Sequence, residues 1–263
     1  MTTELLSLTG RGSSAEVQIQ GTGEPLLYLH GAFGLRWSDA LIAALSKRYC
    51  VIAPHLPGYG KSDGLEKIRS FYDLSVWLDE VLDARGIGQV RLIGHDFGGA
   101  AAAEYAALFR KRVSALTLLA PYGLWPEGEP LADIFGLTPG SLTKLLFADP
   151  GGEAAQDFNR QYPDKAQQDE AILARRQAMI AAAKLLWPIP DKGLRNRLYR
   201  LTAPTTVVGG RHDRMMNAAY IERFASMIHG ASVAMVEAGH MIPQEAPSEV
   251  ADLVSNSRAA LAA

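Results

Sequence analysis

The 263-residue chain has a single cysteine, Cys50, so no internal disulfide can form and nothing argues for an oxidising compartment. Tyr49-Cys50-Val51-Ile52-Ala53 reads as a buried strand, which makes that thiol a packing group. Charge of one sign is also lacking. Twenty-six basic side chains face 28 acidic ones, mixed along the chain, so no broad field draws nucleic acid or an anionic membrane. The start, Met1-Thr2-Thr3-Glu4-Leu5-Leu6, has neither a basic cluster nor a long apolar run. No signal peptide or membrane helix is expected, and a cytoplasmic setting is the default. Six scattered histidines and one cysteine give no zinc spacing, so no metal and no cofactor is expected. A small, neutral or weakly charged molecule is the expected partner, and a homodimer stays open.

What is present is alternation. Short apolar runs at Leu26 to Leu29, Cys50 to Ala53, Val90 to Ile93, Ala115 to Leu119, Thr205 to Val208 and Val233 to Val236 read as strands. Helical patterns fall near Ser38 to Ser46, Phe71 to Ala84, Gly99 to Leu108, Ala218 to Met227 and Ser248 to Leu261. Strand-helix-strand order implies an α/β fold with a mostly parallel central sheet and helices on both faces. From about Tyr122 to Leu201 the alternation stops, and helix-like text is broken by prolines. Residues 122–201 are therefore expected to form a helical cap inserted in a core made of 1–121 and 202–263. Within it, Asp164 to Trp187 carries Ile172, Leu173, Met179, Ile180 and Leu186 near helical spacing, the expected face toward the body. Arg175 and Arg176 then read as a solvated face.

The chemistry concentrates in Gly94-His95-Asp96-Phe97-Gly98. An apolar strand runs into small residues, Gly98 to Ala103, that let a helix start tight against it. Asp96 stands where G-x-S-x-G, the nucleophile elbow, carries serine. Asp213 follows the strand ending at Gly210, and His240 follows the strand ending at Val236. With Leu29-His30-Gly31-Ala32-Phe33 near the start, this order resembles the α/β-hydrolase superfamily across nearly the whole chain, from about Ala15 onward. The aspartate resembles that superfamily's epoxide hydrolases, haloalkane dehalogenases and fluoroacetate dehalogenases.

The resemblance implies a triad of Asp96, Asp213 and His240. An ionised carboxylate needs no deprotonation to attack carbon. Asp96 would form an ester with the substrate, and His240, oriented by Asp213, would activate the water that cleaves it. The backbone N–H groups of Ala32 and Phe97 would hold the oxyanion. His95 is expected to point away into packing, and His30 to hold its loop. Gly58-Tyr59-Gly60-Lys61-Ser62 ends like a phosphate loop, but His55 stands where that motif requires glycine; it resembles instead the superfamily turn that shapes the wall near the oxyanion loop.

The chain departs from each aspartate family. Phe97 replaces the tryptophan of haloalkane dehalogenases and the arginine of fluoroacetate dehalogenases, and Phe33 replaces the proline of epoxide hydrolases. Phe33, Trp125, Tyr122, Trp187 and Tyr199 are the substrate-binding candidates, with Tyr122, Tyr162 and Tyr199 as proton donors for an opening epoxide and Trp37 near the oxyanion loop. An epoxide hydrolase-like reaction on a small apolar substrate is the leading expectation. His30-Gly31-Ala32-Phe33-Gly34 and Tyr122-Gly123-Leu124-Trp125 look more like serine esterases and carbon–carbon bond hydrolases. The alternatives are thus a relative of those enzymes with serine replaced by aspartate, naturally or by design, or a non-catalytic small-molecule binding protein.

Overall fold

The computed structural model describes residues 1–10, 12–126 and 128–257. The elements run β1 (Thr2–Leu8), β2 (Ser13–Gln20), β3 (Glu24–Leu29), α1 (Asp39–Leu45), β4 (Tyr49–Pro54), α2 (Phe71–Ala84), β5 (Val90–His95), α3 (Phe97–Leu108) and β6 (Val113–Leu119). After these come α4 (Pro139–Leu146), α5 (Glu153–Phe158), α6 (Lys165–Leu186), β7 (Thr205–Gly210), α7 (Ala218–Ser226), β8 (Ser232–Val236), α8 (Ile242–Glu245) and α9 (Pro247–Asn256). The sheet order is β1-β2-β4-β3-β5-β6-β7-β8, parallel from β4 to β8 and antiparallel at the β1 and β2 edge.

All six expected strands form, and every residue of β5 and β6 is buried, as central parallel strands covered on both faces require. The N-terminal pair β1 and β2 is additional. Its inward residues on β2 are Ser13, Ala15 and Val17, small side chains that give only a faint period-two signal. The last helix ends at Asn256, just before an extended Ser257, and the rest of its expected span to Leu261 lies outside the described residues.

The stretch between β6 and β7 holds α4, α5 and α6. Asp164 caps α6 by accepting from Gln167 N–H at 2.9 Å. The buried face of α6 differs from the expected one. Ile172, Leu173 and Ile180 are exposed, whereas Ala178, Ala181, Ala182, Leu185 and Leu186 are buried. Alanines permit an approach that larger apolar side chains would block: a Cβ on Gly58 would lie 3.0 Å from the Cβ of Ala181. At the far end of this stretch Arg197 forks onto Glu104, a buried carboxylate of α3. The helix that follows β5 is thereby tied to the chain returning from α6.

Candidate active site

Asp96 sits between the last residue of β5 and the first of α3 with φ 55° and ψ −117°, a conformation that non-glycine residues rarely adopt. Hydrogen bonds on both sides impose it. Asp96 N–H donates to Leu119 O at 2.9 Å, and Asp96 O accepts from Tyr122 N–H at 3.1 Å. The flanking glycines permit it, because a Cβ on Gly98 would meet Leu29 O at 2.3 Å and one on Gly94 would meet Gly98 O at 2.2 Å. The turn thus aims the side chain of residue 96 off the end of the sheet, at the N-terminus of α3, where the helix dipole favours an anion.

Three loops converge there. Asp96 Oδ2 accepts the Ala32 N–H at 2.7 Å, and Oδ1 lies 3.4 Å from His240 Nε2, an ion-pair contact rather than a formed hydrogen bond. His240 Nδ1 meets Asp213 Oδ2 at 2.9 Å. Asp213 is itself fixed by its other oxygen, Oδ1, which accepts the N–H groups of Met215 and Met216 at 2.8 Å. Asp96 is 1% exposed and His240 0%, so the group is sealed from bulk solvent.

Burial opposes both charges, yet their proximity overrides it. Burial is the largest single influence on Asp96, but the close, charged imidazole of His240, with lesser help from His95 and the Ala32 N–H, holds its carboxyl below the usual carboxylate range. For His240, burial disfavours the cation, but Asp213 and then Asp96 outweigh it and push the imidazole up to about 10. Both shifts favour the pair of carboxylate and imidazolium. His95, expected to point away into packing, instead lies against the site, with Nε2 2.9 Å from His240 O and its ring centre 5.4 Å from that of His240; burial and then the His240 charge bring it down to about 4.

The loop after β3 is held by its own side chains. His30 Nε2 accepts the Leu56 N–H at 3.1 Å, so Nδ1 carries the proton and donates to Gly31 O at 2.8 Å. Tyr59, in the turn that resembles a phosphate loop, donates its hydroxyl to Ala32 O at 3.0 Å. Phe97 opens α3, where the first N–H groups have no partner within the helix. Next to this loop a groove of about 1030 Å³ runs between the body and α6, walled by Phe33, Trp37, Leu142, Phe158 and Met179. Neither Asp96 nor His240 lines it; Phe33, packed edge-on against Phe158 at 5.2 Å, stands between groove and triad loop.

Residues 26–253 match the alpha/beta hydrolase family. The chain belongs to that family. This alpha/beta hydrolase is 33% identical over 259 residues to the polyketide synthase ThaQ of Burkholderia thailandensis, covering 92% of the chain but only 12% of the synthase. It is 29% identical over 247 residues to Lipase 1 of Psychrobacter immobilis, covering 88% of the chain and 75% of the lipase. Among solved structures, a meta-cleavage product hydrolase from Pseudomonas fluorescens superposes with a TM-score of 0.75 at 20% identity, covering 97% of this chain and 96% of that one.

The hydrolase brings Asp96, Asp213, His240 and Ala32 together, and it disperses the aromatic candidates. Phe33 lines the groove. Tyr122 and Trp125 line a separate cavity of about 30 Å³, room for about one water. Trp187, which follows α6, and Tyr199, in a 3-10 helix, are 56% and 71% exposed and line neither of these two cavities. Tyr162 is at the groove, where its hydroxyl accepts from Arg36 at 3.1 Å.

Arg175 is the residue that the sequence reading misplaced. It lines the groove, with its guanidinium carbon 4.0 Å from the centre of the Phe158 ring, Nη1 donating to Phe158 O at 3.4 Å and Nη2 buried without a hydrogen-bond partner. Burial lowers its pKa. The signal was positional: Arg175 precedes the buried Ala178 and Ala182 by three and seven residues and so shares their face.

Proposed function

We propose that this hydrolase acts through the Asp96 carboxylate, forming an ester with an electrophilic saturated carbon, an epoxide carbon being the leading case, and hydrolysing that ester with water activated by His240. The observation that carries the reading is the division of labour at Asp96: Oδ2 rests on the Ala32 N–H, while Oδ1 is left without a hydrogen bond. In the first step Oδ1 bonds to the carbon as the carbon–oxygen bond breaks, and the electron pair leaves on that oxygen, which takes up a proton. Tyr122 is the candidate donor beside the elbow, its hydroxyl donating to the weak acceptor Sδ of Met215 at 3.6 Å.

Esterification removes one of the two negative charges that keep His240 protonated, so the imidazole gives up its proton, which through solvent replaces the one the donor lost, and becomes a base. It then takes a proton from water, whose oxygen attacks the Asp96 carboxyl carbon. The oxyanion forms on Oδ2, against the Ala32 and Phe97 N–H groups, and collapse expels the alcohol oxygen, which takes the proton from His240; the Asp96 carboxyl then passes its own proton to the imidazole. Asp96 returns as carboxylate and His240 as imidazolium. Residues 122–201 act in this scheme as the cap over the substrate.

A single turnover in heavy-oxygen water tests the scheme. The label should enter the Asp96 side chain, detected by peptide mass; turnover that leaves Asp96 unlabelled would refute it. The apolar groove with Arg175 in its wall supports an apolar substrate that carries an acidic group. Arg175→Gln should then raise KM for acid-bearing substrates by about tenfold to a hundredfold, the worth of one charged hydrogen bond, and leave their neutral amides unaffected. Equal effects on both would remove the anion-binding role.

A second reading is favoured by the relative named a lipase: Asp96 replaces the serine of an acyl-transfer site. In that case attack on an ordinary ester would give an anhydride, and ester turnover by the native chain would be weak.

A further inference from the structure

The C-terminal end of α4 is bonded to both loops that carry the base and its acidic partner. The N–H groups of His240 and Met241 donate to Leu146 O at 2.7 and 3.2 Å. Arg214, next to Asp213, donates to the carbonyls of Phe147 at 2.7 Å and Lys144 at 3.0 Å. Between them stands Glu245 of α8, whose Oε1 accepts the Ala148 N–H at 2.9 Å and whose Oε2 accepts the Gly239 N–H at 2.8 Å. The two backbones almost touch, since a Cβ on Gly239 would lie 2.5 Å from the Ala148 nitrogen. Phe147 packs in turn on Phe158 of the groove at 5.3 Å.

Glu245 takes no part in the chemistry described above, yet two converging, partly buried N–H groups depend on it, and leaving either one without an acceptor there is costly. We propose that Glu245 is a positioning residue for His240, its carboxylate clamping residues 146–148 onto the His240 loop so that the groove wall and the imidazole move as one unit. The proposal rests on the reading of His240 as the base. Glutamine keeps the size but offers one acceptor, and its NH2 then faces a backbone N–H. Aspartate is one methylene short and reaches only one of the two groups.

The measurement is the downfield proton resonance of His240 Nδ1–H bound to Asp213 in the resting protein, assigned by its loss in His240→Gln. Glu245→Gln should displace or broaden that resonance. It should also slow hydrolysis of the Asp96 ester by about tenfold to a hundredfold, as displacements of about an ångström do, while alkylation of Asp96 keeps its native rate. Glu245→Asp should fall between the two, and it serves as the test if Glu245→Gln does not fold. A resonance at its native position with native hydrolysis, or equal slowing of both steps, would overturn the proposal. If no substrate alkylates Asp96 at all, the reaction scheme fails, and the resonance still decides the role of Glu245.

Discussion

With His240 replaced by glutamine, a substrate that the native protein turns over should remain attached to Asp96, and steady-state turnover should fall by about 10²- to 10⁴-fold, the usual contribution of a general base. Glutamine cannot take a proton from water near neutral pH, so the second step stops while the first proceeds. The replacement also removes the cation that offsets the burial of Asp96, so the Asp96 pKa rises. Alkylation should therefore be followed at and above neutral pH, where the carboxylate persists. Intact-protein mass provides the readout: the expected species is protein plus one substrate, without loss of water. An unmodified protein, under conditions where the native enzyme consumes the substrate, would end the assignment of His240 to the hydrolytic step.

Asp96→Ser should abolish carbon alkylation and raise ester hydrolysis by about 10²- to 10³-fold, the scale set by a single oxyanion donor. The reason lies in the resting geometry. Asp96 Oδ2 occupies the position beside the Ala32 N–H that the carbonyl oxygen of an ester would need, and a serine hydroxyl would vacate it. The same substitution removes one of the two carboxylates flanking His240, so the imidazole pKa should fall from about 10 toward its ordinary range, retaining only the support of Asp213. An NMR titration of His240 checks the sign: the native ring stays protonated through neutral pH and deprotonates only in the alkaline range, whereas the variant ring should deprotonate at lower pH. Unchanged titration and unchanged ester hydrolysis together would show that Asp96 neither plugs the oxyanion position nor charges the histidine. Ester hydrolysis gained by a chain whose native form opens no electrophilic carbon would favour the acyl-transfer reading.

The convergence of Asp96, Asp213 and His240 was legible because each follows a strongly apolar parallel strand, and the ends of such strands lie at one edge of the sheet. Gly94 and Gly98 marked the elbow by their lack of bulk. What local pattern could not convey was which side of an amphipathic segment meets the body. On α6 the contact with the body is made by alanines, so the larger apolar residues Leu173 and Ile180 stay exposed, and Arg175 turns into the groove. Trp187 and Tyr199 attracted attention as aromatics near the expected substrate, but aromatic character says nothing about orientation. Glu245 was silent for another reason: its partners, the N–H groups of Ala148 and Gly239, belong to a backbone approach between segments about ninety residues apart. The strands β1 and β2 escaped notice because an edge pair buries little and tolerates polar residues.

The pair of Asp96 and His240 lies inside the protein with almost no contact with the medium. Dissolved electrolyte weakens attractions between exposed groups over about 8 Å at physiological strength but reaches interior ones far less. Added sodium chloride should therefore leave the titration of His240 nearly unmoved, even as it loosens the guanidinium contacts at the groove mouth, where Arg36 meets Asp157 in the open. Ionic strength thus becomes a means of separating substrate capture, which it should disturb, from the bond-making that follows, which it should spare.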